Sequence, residues 1–290
     1  MKGIVLAGGK GTRLYPLTAS ISKQLMPIYD KPMIYYPIST LLAAGIHDIL
    51  IISTPSDLPL FQRLLGNGAQ WGCTFTYAAQ EQPKGLADAF LIAESFIGGG
   101  PVALILGDNL FHGIHLINSL NRLQPLKGGH IFAYKVKDPQ RYGVVQFDDQ
   151  KKVTHIEEKP TRSISSYAVP GIYFYDTTVV HKAKALKPSA RGELEITDIN
   201  KAYLAEGALG VTPLDSGMVW LDTGTIESLT EASQFVRALQ SRQGVLVGSP
   251  EMAAFSSGLI DRAQLKQFAN QLGETPYGQT LLNHLENEIS

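Results

Sequence analysis

The chain has 290 residues, 44% of them apolar and 18% charged, with a formal net charge of -1. This is enough for one large α/β domain or a domain with appendages. The near-neutral balance argues against a general nucleic-acid binder, and no run of about 18 apolar residues is present to span a membrane. The single cysteine, Cys73, excludes an intrachain disulfide framework and reads as a packed thiol. No signal-like apolar segment precedes the first strand, so a cytoplasmic compartment is expected. The low charged fraction fits either a surface partly buried in an oligomer or one rich in uncharged polar groups.

Residues 3–7 form a continuous apolar run, the pattern of a strand buried on both faces. A helix is expected over 32–44, with proline at its start and Gly45 at its end. A strand over 49–52, a short helix over 57–65, a strand over 74–77, a helix over 86–97 and a strand over 102–106 follow. This alternation predicts βαβ units in a doubly wound, Rossmann-like, mostly parallel sheet with helices on both faces. The middle is strand-rich: 131–136, a hairpin of 143–147 and 153–156 about a polar turn, and 168–174. Helices over 177–186 and 196–206, strands over 209–213 and 218–221, and a helix over 226–239 complete one large unit, residues 1–240. Residues 241–290, with helices over 250–255, 261–272 and 277–288, form a helical appendage suited to a subunit interface.

The first strand runs into Gly8-Gly9-Lys10-Gly11-Thr12-Arg13, with Lys23 close behind. Glycines after a buried strand let backbone N–H groups face phosphate oxygens, and a following helix N-terminus would add a favourable dipole; a plain tight turn is the alternative. Neither the dinucleotide fingerprint nor the P-loop spacing is met. Asp108 and Asp222 each end an apolar strand. They could share one Mg²⁺ or cap the next helices. The seven histidines are scattered, and His112 and His115 have no third ligand nearby. In Glu157-Glu158-Lys159-Pro160, Pro160 predicts an extended Lys159; the segment could hold sugar hydroxyls and phosphate or be a solvated turn. Gln80 and Gly85 lie on a polar loop that could read a base, and Arg191 could reach a phosphate, while Glu195 and Asp198 read as helix and capping residues. Lys135, Lys137, Asp138 and Arg141 read as surface. No Gly-x-Ser-x-Gly elbow or nucleophile triad is present.

Many ordered motifs carry a resemblance that runs from residue 1 to about 240. They are residues 6–18, 22–27, 31–34, 80–86, 106–109, 141–145, 157–160, 168–176, 191–198 and 220–225. Together they resemble the sugar-phosphate nucleotidylyltransferases, and among these the enzymes that join dTTP and glucose 1-phosphate into dTDP-glucose and pyrophosphate. The resemblance implies that Gly8, Gly9, Gly11, Thr12 and Arg13 hold the triphosphate, with Lys23 adding charge. Gln24, Gln80 and Gly85 would read the base, with Gly107 near the deoxyribose. Asp108 and Asp222 would hold Mg²⁺. Lys159 and Arg191 would grip the sugar phosphate, and Gly143, Glu158 and Tyr173, with Tyr142 and Val169 beside them, would form the glucose pocket. It also implies that residues 1–240 are the catalytic domain, with 1–110 mainly nucleotide-binding and 111–240 mainly sugar-phosphate-binding, and it implies a homotetramer and a second nucleotide site at a subunit interface. Two arginines usual at that second site are replaced by Ser216 and Ser256, and Phe111-His112-Gly113-Ile114 departs from the usual Phe-Tyr-Gly-His, so that site is expected to be weak, altered or absent. UTP or another sugar phosphate as substrate is the alternative within this chemistry, and a non-catalytic sugar-nucleotide sensor the alternative outside it.

Overall fold

The computed structural model describes residues 1–9, 11–113 and 126–287. Lys10, Ile114, His115 and Glu288 lie outside the described residues. Four strands form the parallel part of the sheet: β1 (Lys2–Leu6), β4 (Asp48–Ser53), β5 (Thr74–Ala79) and β6 (Val102–Leu106), in the spatial order β6-β1-β4-β5. Short strands β2 (Pro27–Ile28) and β3 (Lys31–Pro32) form a separate antiparallel pair. Connections between the parallel strands run through α1 (Tyr35–Ala43), α2 (Leu58–Leu65), and α3 (Asp88–Ile92) with α4 (Glu94–Ile97).

Beyond β6 the sheet becomes mixed. β12 (Ile172–Tyr175) lies antiparallel between β6 and β8 (Gly129–Lys135), and β13 (Leu209–Pro213) runs parallel to β8 on its other side. β11 (Tyr167–Ala168) bridges β8 to the hairpin of β9 (Gly143–Phe147) and β10 (Val153–Glu158). Taken together, β1, β4, β5, β6, β8, β9 and β13 point one way and β10, β11 and β12 the other, so the expected mostly parallel mixed sheet is what forms.

The unbroken apolar character of β1 reflects burial on both sides. Ile4 and Leu6 pack into one core layer with residues of α3, α5 (Val179–Ala185) and α6 (Ile196–Ala205). Val5 and Ala7 face the other layer, with α1, α2, α8 (Pro250–Ser256), α9 (Arg262–Gln271) and α10 (Pro276–Asn287). The C-terminal helices therefore complete the core on one face of the sheet. Buried Trp71 joins them to it: its ring meets Tyr35 and Phe75 edge-on, and its Nε1 donates to the buried Glu251 carboxylate at 3.2 Å.

Several boundaries differ from expectation. The predicted helix over 32–44 starts only at Tyr35, because Pro32 belongs to β3. The predicted helix over 86–97 breaks at Ala93 into α3 and α4. The predicted strand over 168–174 is two strands separated by Val169-Pro170-Gly171. Pro170 has no N–H for a ladder. Gly171 passes so close to its neighbours that a Cβ would lie 2.7 Å from Asn109 Oδ1 and from the Leu106 side chain. The long helix α7 (Ile226–Gln243) runs through residue 240 and ends at left-handed Gly244.

Candidate active site

Two adjoining cavities open at the C-terminal ends of β1 and β6, where open α/β sheets bind ligands. Leu86, Leu106 and Asp108 line both, so they form one cleft with Asp108 at its waist. The first cavity holds Gly8, Gly9, Lys23, Gln24, Gln80 and Gly85. Arg13, Tyr142, Gly143, Glu158, Lys159, Val169, Tyr173 and Asp222 line the second.

The glycine loop leaves β1 with Gly9 at φ 99° and Gly11 at φ 58°, values open to glycine and costly for other residues. It is followed only by a 3-10 turn, Thr12–Leu14, so the expected helix N-terminus is absent there. Gly11 and Thr12 lie on this loop outside both cavity linings. Gln24 is buried and fixed at both ends of its amide: Ser22 Oγ donates to Oε1 at 2.7 Å, and Nε2 donates to Gly8 O at 3.2 Å. Gln80 is buried as well, its Nε2 donating to Asp88 at 2.9 Å. Gly85, at φ 103°, lies against the Leu194 backbone, where a Cβ would sit 2.4 Å from the carbonyl oxygen. Gly107 is closed in by Gln24, Ala7 and Leu6, its N–H donating to Leu6 O at 2.9 Å.

The two aspartates are brought together by a ladder that sequence reasoning missed. β7 (Asn109–His112) pairs antiparallel with β14 (Val219–Asp222), setting Asp222 opposite Asn109. Thr223 tightens the junction, its Oγ1 and N–H both donating to Asp108 O at 2.8 and 3.1 Å. Neither aspartate caps a helix: Asp108 leads into β7, and α7 is capped by Thr225 in a reciprocal pair with Ser228. Lys23 Nζ hydrogen-bonds Asp108 Oδ2, and Asn109 Nδ2 donates to Oδ1 at 2.9 Å. Burial alone would raise the Asp108 carboxyl, but the Lys23 charge, with the hydrogen bonds of Lys23 and Asn109, holds it below the usual range. Asp222 goes the other way. Burial pushes it up, reinforced by the charges of Asp108 and Asp138, and outweighs the Tyr142 hydroxyl at 2.9 Å and Arg141 at 3.0 Å. Arg141, read from sequence as surface, is thus part of the cleft. Asn109 was also missed as a clamp: its buried Oδ1 accepts from Gly171 N at 3.0 Å and Trp220 Nε1 at 2.6 Å.

In the second cavity, Glu158 Oε2 accepts from Thr197 Oγ1 at 2.5 Å, and both groups close on Gly143. Thr197 had no local sequence signal beyond its position in the first turn of α6. Lys159 is not extended before Pro160 but left-handed, at φ 42°, held by its N–H donating to Tyr142 O at 3.0 Å. That conformation is costly for a side-chain-bearing residue and persists because the hairpin and Tyr142 fix it. Arg191 is not in either lining. It is gripped by Glu195 at 2.8 Å and reaches the cleft through Glu158 at 3.4 Å. Glu195 stands at the N-cap position of α6, yet its side chain takes Arg191 and Ser189 rather than capping the helix. Ser256 lines a separate cavity with Tyr36, Ser39, His112 and Ser249; Ser216 does not line it.

The fold and the cleft are those of an α/β protein with a ligand-sized site at the C-terminal edge of its sheet. The sequence profile of the nucleotidyl transferase family matches residues 2–238, and the chain belongs to that family. It is 55% identical over 288 residues to a glucose-1-phosphate thymidylyltransferase of Mycolicibacterium smegmatis, covering 99% of this chain and 100% of the relative. It is 52% identical over 284 residues to a protein of the same name from Neisseria gonorrhoeae, covering 98% and 99%. Among solved structures it is similar to a Bacillus anthracis protein described as a glucose-1-phosphate thymidylyltransferase, in complex with sucrose (42% identity, TM-score 0.76, covering 82% of this chain and 95% of that one). A UDP-glucose pyrophosphorylase complexed with UDP-glucose is similar at 25% identity and TM-score 0.71, covering 82% and 98%. No described helix is long and apolar enough to cross a membrane.

Proposed function

We propose that the protein transfers the thymidylyl group of dTTP to α-D-glucose 1-phosphate, giving dTDP-glucose and pyrophosphate. The observation that carries the reading is the continuous cleft, in which Asp108 joins a glycine-and-glutamine half to a glutamate-and-lysine half. An oxygen of the sugar phosphate forms the new bond to the α-phosphorus while the bond to the departing pyrophosphate breaks in line. That oxygen is already anionic at neutral pH, so the reaction needs positioning and charge neutralisation rather than a protein base.

In this reading Gln24 and Gln80 face the base, Gly85 lets it lie against backbone and Gly107 adjoins the deoxyribose. Gly8, Gly9, Gly11, Thr12 and Arg13 hold the triphosphate, and Arg13 steadies the leaving pyrophosphate. Lys159 holds the sugar phosphate. Arg191 joins it by exchanging its carboxylate partners for phosphate. Gly143 and Glu158 take sugar hydroxyls between Tyr142, Val169 and Tyr173. Two carboxylates held on one ladder suit Mg²⁺, which takes one or two carboxylates and fills its shell with phosphate oxygens and water. Among the described residues no group of three or more His, Cys, Asp or Glu side chains is placed to hold a metal ion. Bound to Asp108 and Asp222, Mg²⁺ would neutralise charge on the phosphates.

The test is pyrophosphate release from glucose 1-phosphate with dTTP, UTP, ATP or CTP, with and without Mg²⁺. Fastest release with dTTP, dependent on Mg²⁺, is expected. Faster release with UTP would shift the assignment toward the activity named for the more distant structural neighbour, and no release with any nucleotide would leave the sensor reading. A homotetramer is part of the proposal and is checked by light scattering. Weak or absent binding of dTDP-rhamnose away from the cleft is also expected, because serine at 216 and 256 brings neither the charge nor the fork of arginine.

A further inference from the structure

Arg141 is built as a bridge between two carboxylates. It ends the 3-10 turn Pro139–Arg141 just before β9. One guanidinium nitrogen donates to Asp138 at 2.9 Å and the other to Asp222 Oδ2 at 3.0 Å. The Tyr142 ring supports the guanidinium at 5.2 Å, while the Tyr142 hydroxyl takes the other Asp222 oxygen at 2.9 Å. Asp222 thus has both oxygens engaged, one by a cation. Asp108 has the same arrangement, with Lys23 on one oxygen and the Asn109 amide on the other. Each member of the acidic pair has its own cationic partner.

The two partners differ in what holds them. Arg141 keeps a second carboxylate, Asp138, and a ring contact if it leaves Asp222. It also lines the same cavity as Arg13 and Lys159, so a guanidinium released from Asp222 remains beside the cations assigned to phosphate. A guanidinium can fork onto two oxygens at once, and phosphate offers the same geometry as carboxylate. A divalent cation on Asp222 would repel a guanidinium hydrogen-bonded to the same carboxylate.

We propose that Arg141 is a removable counter-ion of Asp222. It holds the carboxylate in the substrate-free protein, competes there with a divalent cation, and swings about Asp138 onto reactant phosphate when the cation takes its place. Arg141 is then a positioning residue for the reaction. Asp138, beyond the cleft lining, becomes the pivot. The inference rests on the reading of Asp222 as a metal ligand.

The test is a Mn²⁺ titration of the full-length, substrate-free protein, followed by electron paramagnetic resonance of the free ion. Wild type, Arg141→Gln and Asp222→Asn are compared, with circular dichroism as a check on folding. Removing one charge-assisted hydrogen bond from Asp222 should tighten Mn²⁺ binding about tenfold in Arg141→Gln. The same variant should raise KM for glucose 1-phosphate, because the released guanidinium no longer meets the phosphate. Equal or weaker Mn²⁺ binding by Arg141→Gln, including no binding by either protein, overturns the competition. If Arg141→Gln does not fold, Arg141→Lys, which keeps the charge but loses the two-carboxylate fork, is read by the same criterion. Asp222→Asn separates the two claims. Lost Mn²⁺ binding there with unchanged binding in Arg141→Gln defeats only the counter-ion role, whereas undiminished binding in Asp222→Asn defeats the metal-ligand reading beneath it.

Discussion

Replacing Asn109 with alanine should damage stability and turnover together, for a reason the geometry makes calculable. The Asn109 amide orientation is determined by its partners: Oδ1 must face two donors, Gly171 N–H and Trp220 Nε1–H, which leaves Nδ2 for Asp108. Asn109→Ala removes all three bonds at a buried position and strands two donors. Leaving a buried donor unpaired costs about 1–3 kcal/mol, so the pair costs roughly 4 kcal/mol at mid-range. A chain of 290 residues has an unfolding entropy near the midpoint of about 0.6 kcal/mol/K, which converts this to a fall of roughly 7 °C. Asp108 also loses its neutral donor while keeping Lys23, and a hydrogen bond to a charged group is worth enough for turnover to fall about tenfold or more. Scanning calorimetry and pyrophosphate release measure the two effects. A loss below about 1 °C would mean that water from the cleft satisfies both donors, and the clamp would not be a structural element at all.

Three further outcomes are expected. Asp108→Asn should lower turnover by about 10²–10³-fold at saturating Mg²⁺ with the circular dichroism spectrum retained, and undiminished turnover would refute its assignment as a metal ligand. Gly85→Ala must place a methyl 2.4 Å from Leu194 O at φ 103°, so its urea midpoint should fall by an amount equivalent to roughly 2 kcal/mol and KM for dTTP should rise; an unchanged midpoint would show that the loop yields freely. Burial lowers the His130 pKa from 6.5 to about 4. The unfolded chain therefore binds the proton more readily between those values, and folding stability falls as pH falls through that window. Going from pH 7 to pH 5 should cost about 2 kcal/mol through this residue, a loss that His130→Gln should not share; parallel pH dependence of the two proteins in urea titrations would contradict it.

The sheet was legible because its signal is local. Continuous apolar runs such as 102–106 mark strands buried on both faces, and the intervening helical segments force parallel neighbours. The glycine loop and the two strand-end aspartates were visible for the same reason. What joins them was not. β7 and β14 are four residues each, and their pairing is set by Asn109, Trp220 and Thr223, whose partners are remote in the chain. Arg141 read as surface because nothing within several residues distinguishes a solvated arginine from one facing Asp222. Lys159 defeated a sound local rule: proline at 160 disfavours the right-handed helical region and suggests an extended residue, yet the hydrogen bond to Tyr142 holds a left-handed one. The break at Pro170 was readable from its missing N–H, but the apolar run around it masked the signal.

The β7–β14 ladder has a kinetic meaning as well. Asn109 and Trp220 are 111 positions apart, and closing so long a loop carries a large entropic cost before any contact repays it. A growing chain that has delivered the glycine loop, Lys23 and Asp108 still lacks the strand that brings Asp222 to them. The acidic pair therefore comes into being only after most of the sheet has been synthesised. Until then the half-built cleft has its glycine loop, Lys23 and Asp108 but no second carboxylate, so on the proposed assignment a nucleotide that binds early would meet a surface unable to react. Ligand binding would then favour the late, completed state and draw the last ladder closed.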